Sequence, residues 1–277
     1  MCTTGLIRSQ KSSWLLGFKT FDAAPTGIWH AEVKFTTGMK ALAVGATVQT
    51  GINSGLNDKG LCSILSYLDT QIPKSTSSVQ EANWVGDNRG VANASMLASC
   101  TSVKEAAKFL QLYFKQYPSS VGGNFLLSDA EGAIGILEYY NGQTLLQVVN
   151  EDNYLVRANN GNLLGLQEQS QLPDEVKQDR QGRYKQAQEL CFDISTGSKD
   201  TALKSIKSFL SSHGENGLIP VCVHDYDIIG ARYSRIEPIT TVTALVFDIL
   251  NYGMWFSESS PCSSQWNFLS KTSVAVA

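Results

Sequence analysis

The sequence predicts an α+β fold in which antiparallel sheets pack on one another and helices lie outside. Three observations predict it. Segments rich in β-branched and aromatic residues cluster in the first third and the last third of the chain, with helical patterns between them. Two such segments, 124–129 and 133–140, flank the short turn Ala130-Glu131-Gly132, which is a hairpin signal. No regular strand–helix–strand alternation appears, so a parallel sheet is not expected.

In chain order, residues 29–35, 42–50 and 61–68 read as strands bounded by Gly, Asn and Asp. A helix follows. Ser102 and Glu105 form a capping box, and apolar residues recur at Val103, Ala106, Ala107, Leu110, Tyr113 and Phe114 until Pro118 stops the helix. After the hairpin come strands at 145–149 and 154–157. Residues 165–182 are polar, contain Pro173 and read as a surface loop. Helices are expected over 183–190 and from Asp200 to before Gly214. Strands return at 219–224, 241–249 and, after a turn at Asn251 and Gly253, at 254–257. No repeat or linker divides the chain, so residues 1–277 are expected to form a single domain.

Composition removes several classes of function. There are 22 basic against 25 acidic residues, a net charge of −3, and no basic stripe, which argues against nucleic acid as a partner. The most apolar run, 242–250, is interrupted by Asp248 and is too short to cross a bilayer. No cationic end leads into an apolar run within residues 1–13, so a cytoplasmic protein with mostly reduced cysteines is expected. The six cysteines form no CxxC pair, and no metal or cofactor is expected. Cys222, His224 and Asp225 in CVHD are read as alternating strand residues that point to opposite faces, not as ligands. Loops of the types that bind nucleotides are missing, and no GxSxG elbow appears.

The chemistry sits at the start, in MCTTG. If Met1 is removed, Cys2 carries a thiol and a free α-amine on one carbon. A thiol with an ordinary pKa near 8.5 and an amine near 7.7–8.0 can exchange a proton at neutral pH, so the residue is a nucleophile with its own base. By itself Cys2 reads more simply as a cysteine that happens to follow the start codon.

Other segments accompany it in order: GFKTFD with Lys19 and Asp22 placed just after the first strand, GLNDKGL, GNFLLSDAEG running on to Glu138, YLVRANN, DRQGRYKQAQEL, VCVHD, and a closing TTVTALVFDI and SSPC. This ordered set resembles the N-terminal-nucleophile hydrolases, in particular the choloylglycine hydrolase and penicillin V acylase family and the isopenicillin-N acyltransferase-like family. The resemblance spans Cys2 to Cys262. It implies a four-layer αββα sandwich and cleavage or transfer at a non-peptide amide or acyl bond. The substrate would be a small amide or acyl compound. Relatives of this kind commonly form dimers or tetramers.

The resemblance also implies roles. Cys2 matches the nucleophile. Asp22 matches the aspartate that holds amine and thiol; on its own it reads as a turn residue. Asn159 matches the asparagine whose amide helps form an oxyanion hole, although Asn159-Asn160-Gly161 also reads as a turn. The backbone near Tyr67 offers a second donor. Arg183 matches an arginine near the start of the helix after the polar loop, and alternatively is a solvated charge beside Arg180. Lys19 stands where the family usually has arginine, in a pattern like RNxD. Lysine keeps the charge and loses the planar fork, so Arg157 or Arg183 is a candidate to cover that role. Unlike enzymes that cut themselves internally, this chain already has its cysteine next to the start.

Three functions follow as expectations. An amidohydrolase passes the acyl group from Cys2 to water. An acyltransferase passes it to an amine. An inactive relative only binds a ligand. Trp14, Trp29, Phe35, Trp84 and Tyr140 are candidates either for an apolar acyl pocket or for core.

Overall fold

The computed structural model describes residues 2–11, 13–68, 86–149, 153–225 and 239–271. Its strands alternate between two faces, and each sheet is apolar on both, so each is covered twice. The first sheet contains β1 (Thr4–Arg8), β2 (Leu15–Ala23), β10 (Tyr154–Arg157), β11 (Thr240–Asp248), β12 (Gly253–Ser257) and β13 (Trp266–Ser270), in the order β10-β1-β2-β11-β12-β13. The second runs in sequence order through β3 (Ile28–Lys34), β4 (Lys40–Ala46), β5 (Ser54–Asn57), β6 (Cys62–Leu68), β7 (Gly122–Ser128), β8 (Ile134–Tyr140) and β9 (Gln143–Val149). Every neighbouring pair is antiparallel.

Leu6, Leu42, Ile64, Leu126, Leu245 and Phe247 fill the space between the sheets. Helices α1 (Arg89–Leu97) and α2 (Val103–Gln116) cover the second sheet, where Met96, Leu110 and Phe114 meet Phe125 and Tyr139. The stacked rings of Phe114 and Tyr139 are 4.1 Å apart. Burying each such side chain contributes about 1.5–3 kcal/mol. After the short α3 (Leu166–Ser170), helices α4 (Asp174–Ile194) and α5 (Lys199–Leu210) cover the first sheet, with Ala187, Cys191, Ile206 and Leu210 against Ile7, Phe18 and Val246. The result is a four-layer αββα sandwich, as expected. Among the described residues, no helix is long and apolar enough to cross a membrane.

The cap of α2 forms largely as read. Ser102 Oγ accepts from the Glu105 backbone N–H, and Glu105 reaches back to Thr101, one residue beyond the N-cap. The hairpin also forms, with Ser128 opposite Ile134.

Three expectations are corrected. Residues 165–182 are mostly helix, because α4 runs through 174–194 with its buried stripe at Val176, Asp179, Arg180, Arg183, Ala187, Cys191 and Ile194. The stripe has helical spacing, but its first half is charged, so it does not register as apolar periodicity. Arg183 consequently lies in mid-helix, not near its start. Residues 219–224 form no strand; Gly182 lets Ile219 pack directly on α4, where an added Cβ would lie 2.4 Å from the Ile219 side chain. Lys19 and Asp22 follow the first strand, β1, as expected, and lie within the second, β2. Helix α1 and strand β13 carry no strong sequence pattern and were not expected.

Candidate active site

Cys2 stands two residues before β1, the second strand of the first sheet. The register of β1 with β10 pairs Thr4 with Arg157, and continuing it by two residues brings Cys2 opposite Asn159. The backbone nitrogen of Cys2 donates to Asn159 Oδ1 at 2.6 Å. Asn159 has φ 65°, in the left-handed region that Asn tolerates better than most residues. Its Nδ2 donates one hydrogen to the Tyr67 carbonyl at 2.9 Å, and an amide nitrogen has a second hydrogen to give. The Tyr67 contact made here is thus through its carbonyl.

From the opposite layer, Arg183 on α4 reaches the same residue. Its NH1 donates to the Cys2 carbonyl at 2.8 Å and to Thr3 Oγ1 at 3.2 Å. Its remaining nitrogens clasp Asp179 Oδ2, at 2.6 Å from NH2. Burial works against the Arg183 charge, and the Asp179 carboxylate more than restores it. One turn earlier, Arg180 donates to the Asn159 carbonyl at 3.1 Å. The charged stripe of α4 therefore holds both Cys2 and Asn159.

Lys19 is fully buried, 0% exposed, with its ammonium donating to Asn53 Oδ1 and the Leu65 carbonyl. Burial lowers its pKa; the Cys2 side chain, to which it hydrogen-bonds, and Asp22 act in the other direction. The lysine amine thus lies beside the Cys2 thiol. Arg157 does not: it is paired with Glu138 at 3.2 Å, and that carboxylate also accepts from the backbone N–H groups of Asn162, Leu163 and Leu164. The pair fixes the loop that follows Asn159.

Asp22 accepts from Thr241 Oγ1 at 2.8 Å and is linked by Thr20 Oγ1 to the Thr3 backbone N–H. A register shift between Thr241 and Thr243 bends β11 directly opposite Asp22 and Phe21. Cys2, Lys19, Tyr67, Asn159 and Arg183 are joined by direct contacts, and Asp22 reaches Arg183 through Thr20 and Thr3.

Sequence comparison matches residues 26–227 to the model of the acyl-coenzyme A:6-aminopenicillanic acid acyl-transferase family. The chain belongs to that family. No curated protein matches its sequence. Solved structures match its shape. Penicillin V acylase from Agrobacterium tumefaciens superposes with TM-score 0.63 at 16% identity, covering 98% of this chain and 87% of the other. An N-acylethanolamine-hydrolyzing acid amidase ortholog from Caenorhabditis elegans gives TM-score 0.55 at 12% identity, covering 90% and 93%. A mutant conjugated bile acid hydrolase from Clostridium perfringens gives 0.58 at 11% identity, covering 99% and 94%. At these identities the likeness establishes the fold, that of the N-terminal-nucleophile hydrolases.

Within this acyl-transferase fold, two groups escaped the sequence reading. Arg89 is buried against Asp87 at 2.8 Å, lies 5.6 Å from the Tyr67 ring and carries Cys2 among the charges acting on it. Asn53 links Lys19 to Gln49, which in turn donates to Asp87. Close contact of Gly51 with the backbone of Gly90 brings these groups together; at φ 91° Gly51 is also in a conformation other residues resist. No motif marks them, because the relevant spacing is across loops.

The aromatic candidates separate. Trp14, Trp29 and Phe35 pack in the helix-covered cores away from Cys2. Tyr140 clusters with Leu68 and Leu164, next to Tyr67. Trp84 lies outside the described residues. Beside Cys2 the apolar neighbours are Phe21, Ala46, Ile28 and Val242.

Proposed function

We propose that the chain is an N-terminal cysteine amidohydrolase that cleaves a non-peptide C–N amide bond through a thioester on Cys2, in a mature form that begins at Cys2. The observation that carries this reading is the Cys2 nitrogen held on Asn159 Oδ1 while Arg183 holds the Cys2 carbonyl. A residue fixed from both sides has its thiol aimed by the backbone and not by side-chain chance.

Once Met1 is removed, that nitrogen is an α-amine. It takes the thiol proton as Sγ bonds to the acyl carbon, and the carbonyl oxygen becomes negative. The second hydrogen of Asn159 Nδ2 is a fixed donor for that oxygen. Buried cations at Lys19, Arg89 and Arg183 favour negative charge at this place, and Asp22 supports the transient ammonium. The C–N bond then breaks, and the leaving amine takes the proton from the ammonium. Water adds to the thioester, gives its proton to the α-amine and releases the acid and the thiol.

A second reading has a specific support. The family model is that of an acyl-transferase, and an amine in place of water at the last step would give transfer. The two share every residue named. Incubating the protein with N-acyl p-nitroanilides and acyl thioesters, with and without hydroxylamine, separates them. Free acid that persists in the presence of hydroxylamine supports hydrolysis; near-complete diversion to the hydroxamate supports transfer. No acylation of a protein with a free Cys2 would leave the inactive ligand-binding relative. Small-molecule substrates and a cytoplasmic setting with reduced thiols go with either enzymatic reading.

A further inference from the structure

Outside the active site, four side chains from three segments converge: His213 after α5, Cys222 and His224 before β11, and Cys262 between β12 and β13. Their ligand atoms all lie within 4.8 Å of one another. The backbone builds this meeting. Val221 and Cys222 both donate to the Ser212 carbonyl, which folds 221–222 back onto His213.

Both imidazoles are already oriented. His213 Nδ1 is 3.1 Å from the Cys222 carbonyl, which only accepts, so the proton sits on Nδ1 and Nε2 presents its lone pair. His224 Nδ1 faces Ser260 Oγ at 3.5 Å, while Ser260 gives its own proton to the Thr241 carbonyl at 2.8 Å. His224 Nε2 is therefore also bare, 3.7 Å from Cys222 Sγ and 3.0 Å from Cys262 Sγ. A backbone carbonyl or hydroxyl behind each histidine is the usual second partner of a metal-bound imidazole. In a tetrahedral zinc site, bonds of about 2.3 Å to sulfur and 2.0–2.1 Å to nitrogen set a sulfur–nitrogen edge near 3.6 Å. Three of the four residues are exposed and Cys222 is buried, so an ion can enter from solvent.

We propose that His213, Cys222, His224 and Cys262 bind one Zn²⁺ in a closed structural site. Two thiolates and two imidazoles are the donor set of a soft, tetrahedral dication, and four protein ligands leave no position for water or substrate. Each thiol gives its proton to solvent on binding. The site departs from the expectation that CVHD is a strand without ligands: residues 219–224 form no strand, and Cys222 and His224 converge. Its place suggests its use. Val223 exchanges hydrogen bonds with Thr241, and Thr241 Oγ1 donates to Asp22. An ion here fastens three loop segments around the residue that holds Asp22. This inference does not depend on the acyl-transfer reading.

The test is metal analysis of the purified full chain under reducing conditions, after dialysis against metal-free buffer. About one zinc per chain is expected in wild type and in Cys2→Ser, with a several-fold loss in Cys262→Ser and His224→Asn. Cys262 and His224 are exposed, so these variants fold, which far-ultraviolet circular dichroism checks. After chelation, Co²⁺ added to wild type should give the intense visible bands of a tetrahedral thiolate complex, and Zn²⁺ should raise its thermal midpoint without raising that of Cys262→Ser. Folded wild type with far less than one zinc per chain, zinc content equal in Cys262→Ser, or zinc lost in Cys2→Ser would each overturn the proposal.

Discussion

Asn159 Oδ1 lies 2.6 Å from the Cys2 backbone nitrogen, across 157 positions of sequence. Strand register produces the contact, since Thr4 opposite Arg157 places the two residues opposite each other two residues beyond that pair. One side chain thus orients the nitrogen through its oxygen and offers a donor through its amide.

That dual use gives a prediction that separates chemistry from backbone strain. Asn159→Gly keeps the φ of 65° at no steric cost. Its thermal midpoint should stay near wild type while kcat falls about 10²–10³-fold. Asn159→Ala should show the same catalytic loss plus about 1–2 kcal/mol of instability. Turnover in Asn159→Gly equal to wild type would remove the side chain from the reaction.

Lys19→Met tests whether a lysine carries the cationic role. The substitution leaves Asn53 Oδ1 and the Leu65 carbonyl without their donor, costing about 1–3 kcal/mol. It should also lower kcat about 10²-fold. Burial depresses the Lys19 pKa, so as pH rises the charge is lost earlier than for an ordinary lysine near 10.4. Wild-type kcat/KM should therefore decline on the alkaline side, and Lys19→Met should lack that limb. An unchanged alkaline limb in the variant contradicts the assignment.

The Arg183–Asp179 pair is buried on both sides, at 1% and 2% exposure. Arg183→Ala strands the carboxylate and should cost about 3–5 kcal/mol in denaturant unfolding. Arg183→Leu combined with Asp179→Leu should recover most of that stability and none of the activity, because the contact to the Cys2 carbonyl stays lost. Recovery of activity in the double variant would make the pair structural only.

What the sequence made legible follows from where the signal is local. The cap at Ser102, the hairpin at 130–132 and the alternating strands depend on neighbours within a few positions, and they form as expected. Cys2, Lys19, Asp22, Asn159 and Arg183 were legible through ordered motifs, not through periodicity. Helix α4 hid because the face it buries includes Asp179, Arg180 and Arg183; Arg183 contacts Cys2 and pairs with Asp179, and Arg180 contacts Asn159. Cys222, His224 and their two partners hid because their spacing spans three loops. Arg89 and Asn53 hid for the same reason.

A stability prediction comes from His30. Its ring stacks on Phe256 at 4.2 Å and faces Thr243 Oγ1 at 3.0 Å. Burial depresses its pKa to about 4, below the unfolded value near 6.5. The unfolded chain thus gains a proton first on acidification. Stability is complete above about pH 6.5 and declines as pH falls toward 4, by about 1–2 kcal/mol once solvent screening is allowed for. Thermal midpoints measured from pH 7 to 4 should fall less steeply in His30→Gln; parallel slopes would contradict this.

The central claim is that Cys2 is a free N-terminal nucleophile. Intact-mass spectrometry of the purified protein, before and after brief exposure to an activated acyl ester, tests it most directly. The account predicts a mass lacking one methionine residue, then addition of one acyl group that peptide mapping places on Cys2 and that Cys2→Ser does not form as a thioester. Retention of Met1 in the active protein, or acylation elsewhere with Cys2 untouched, would contradict it.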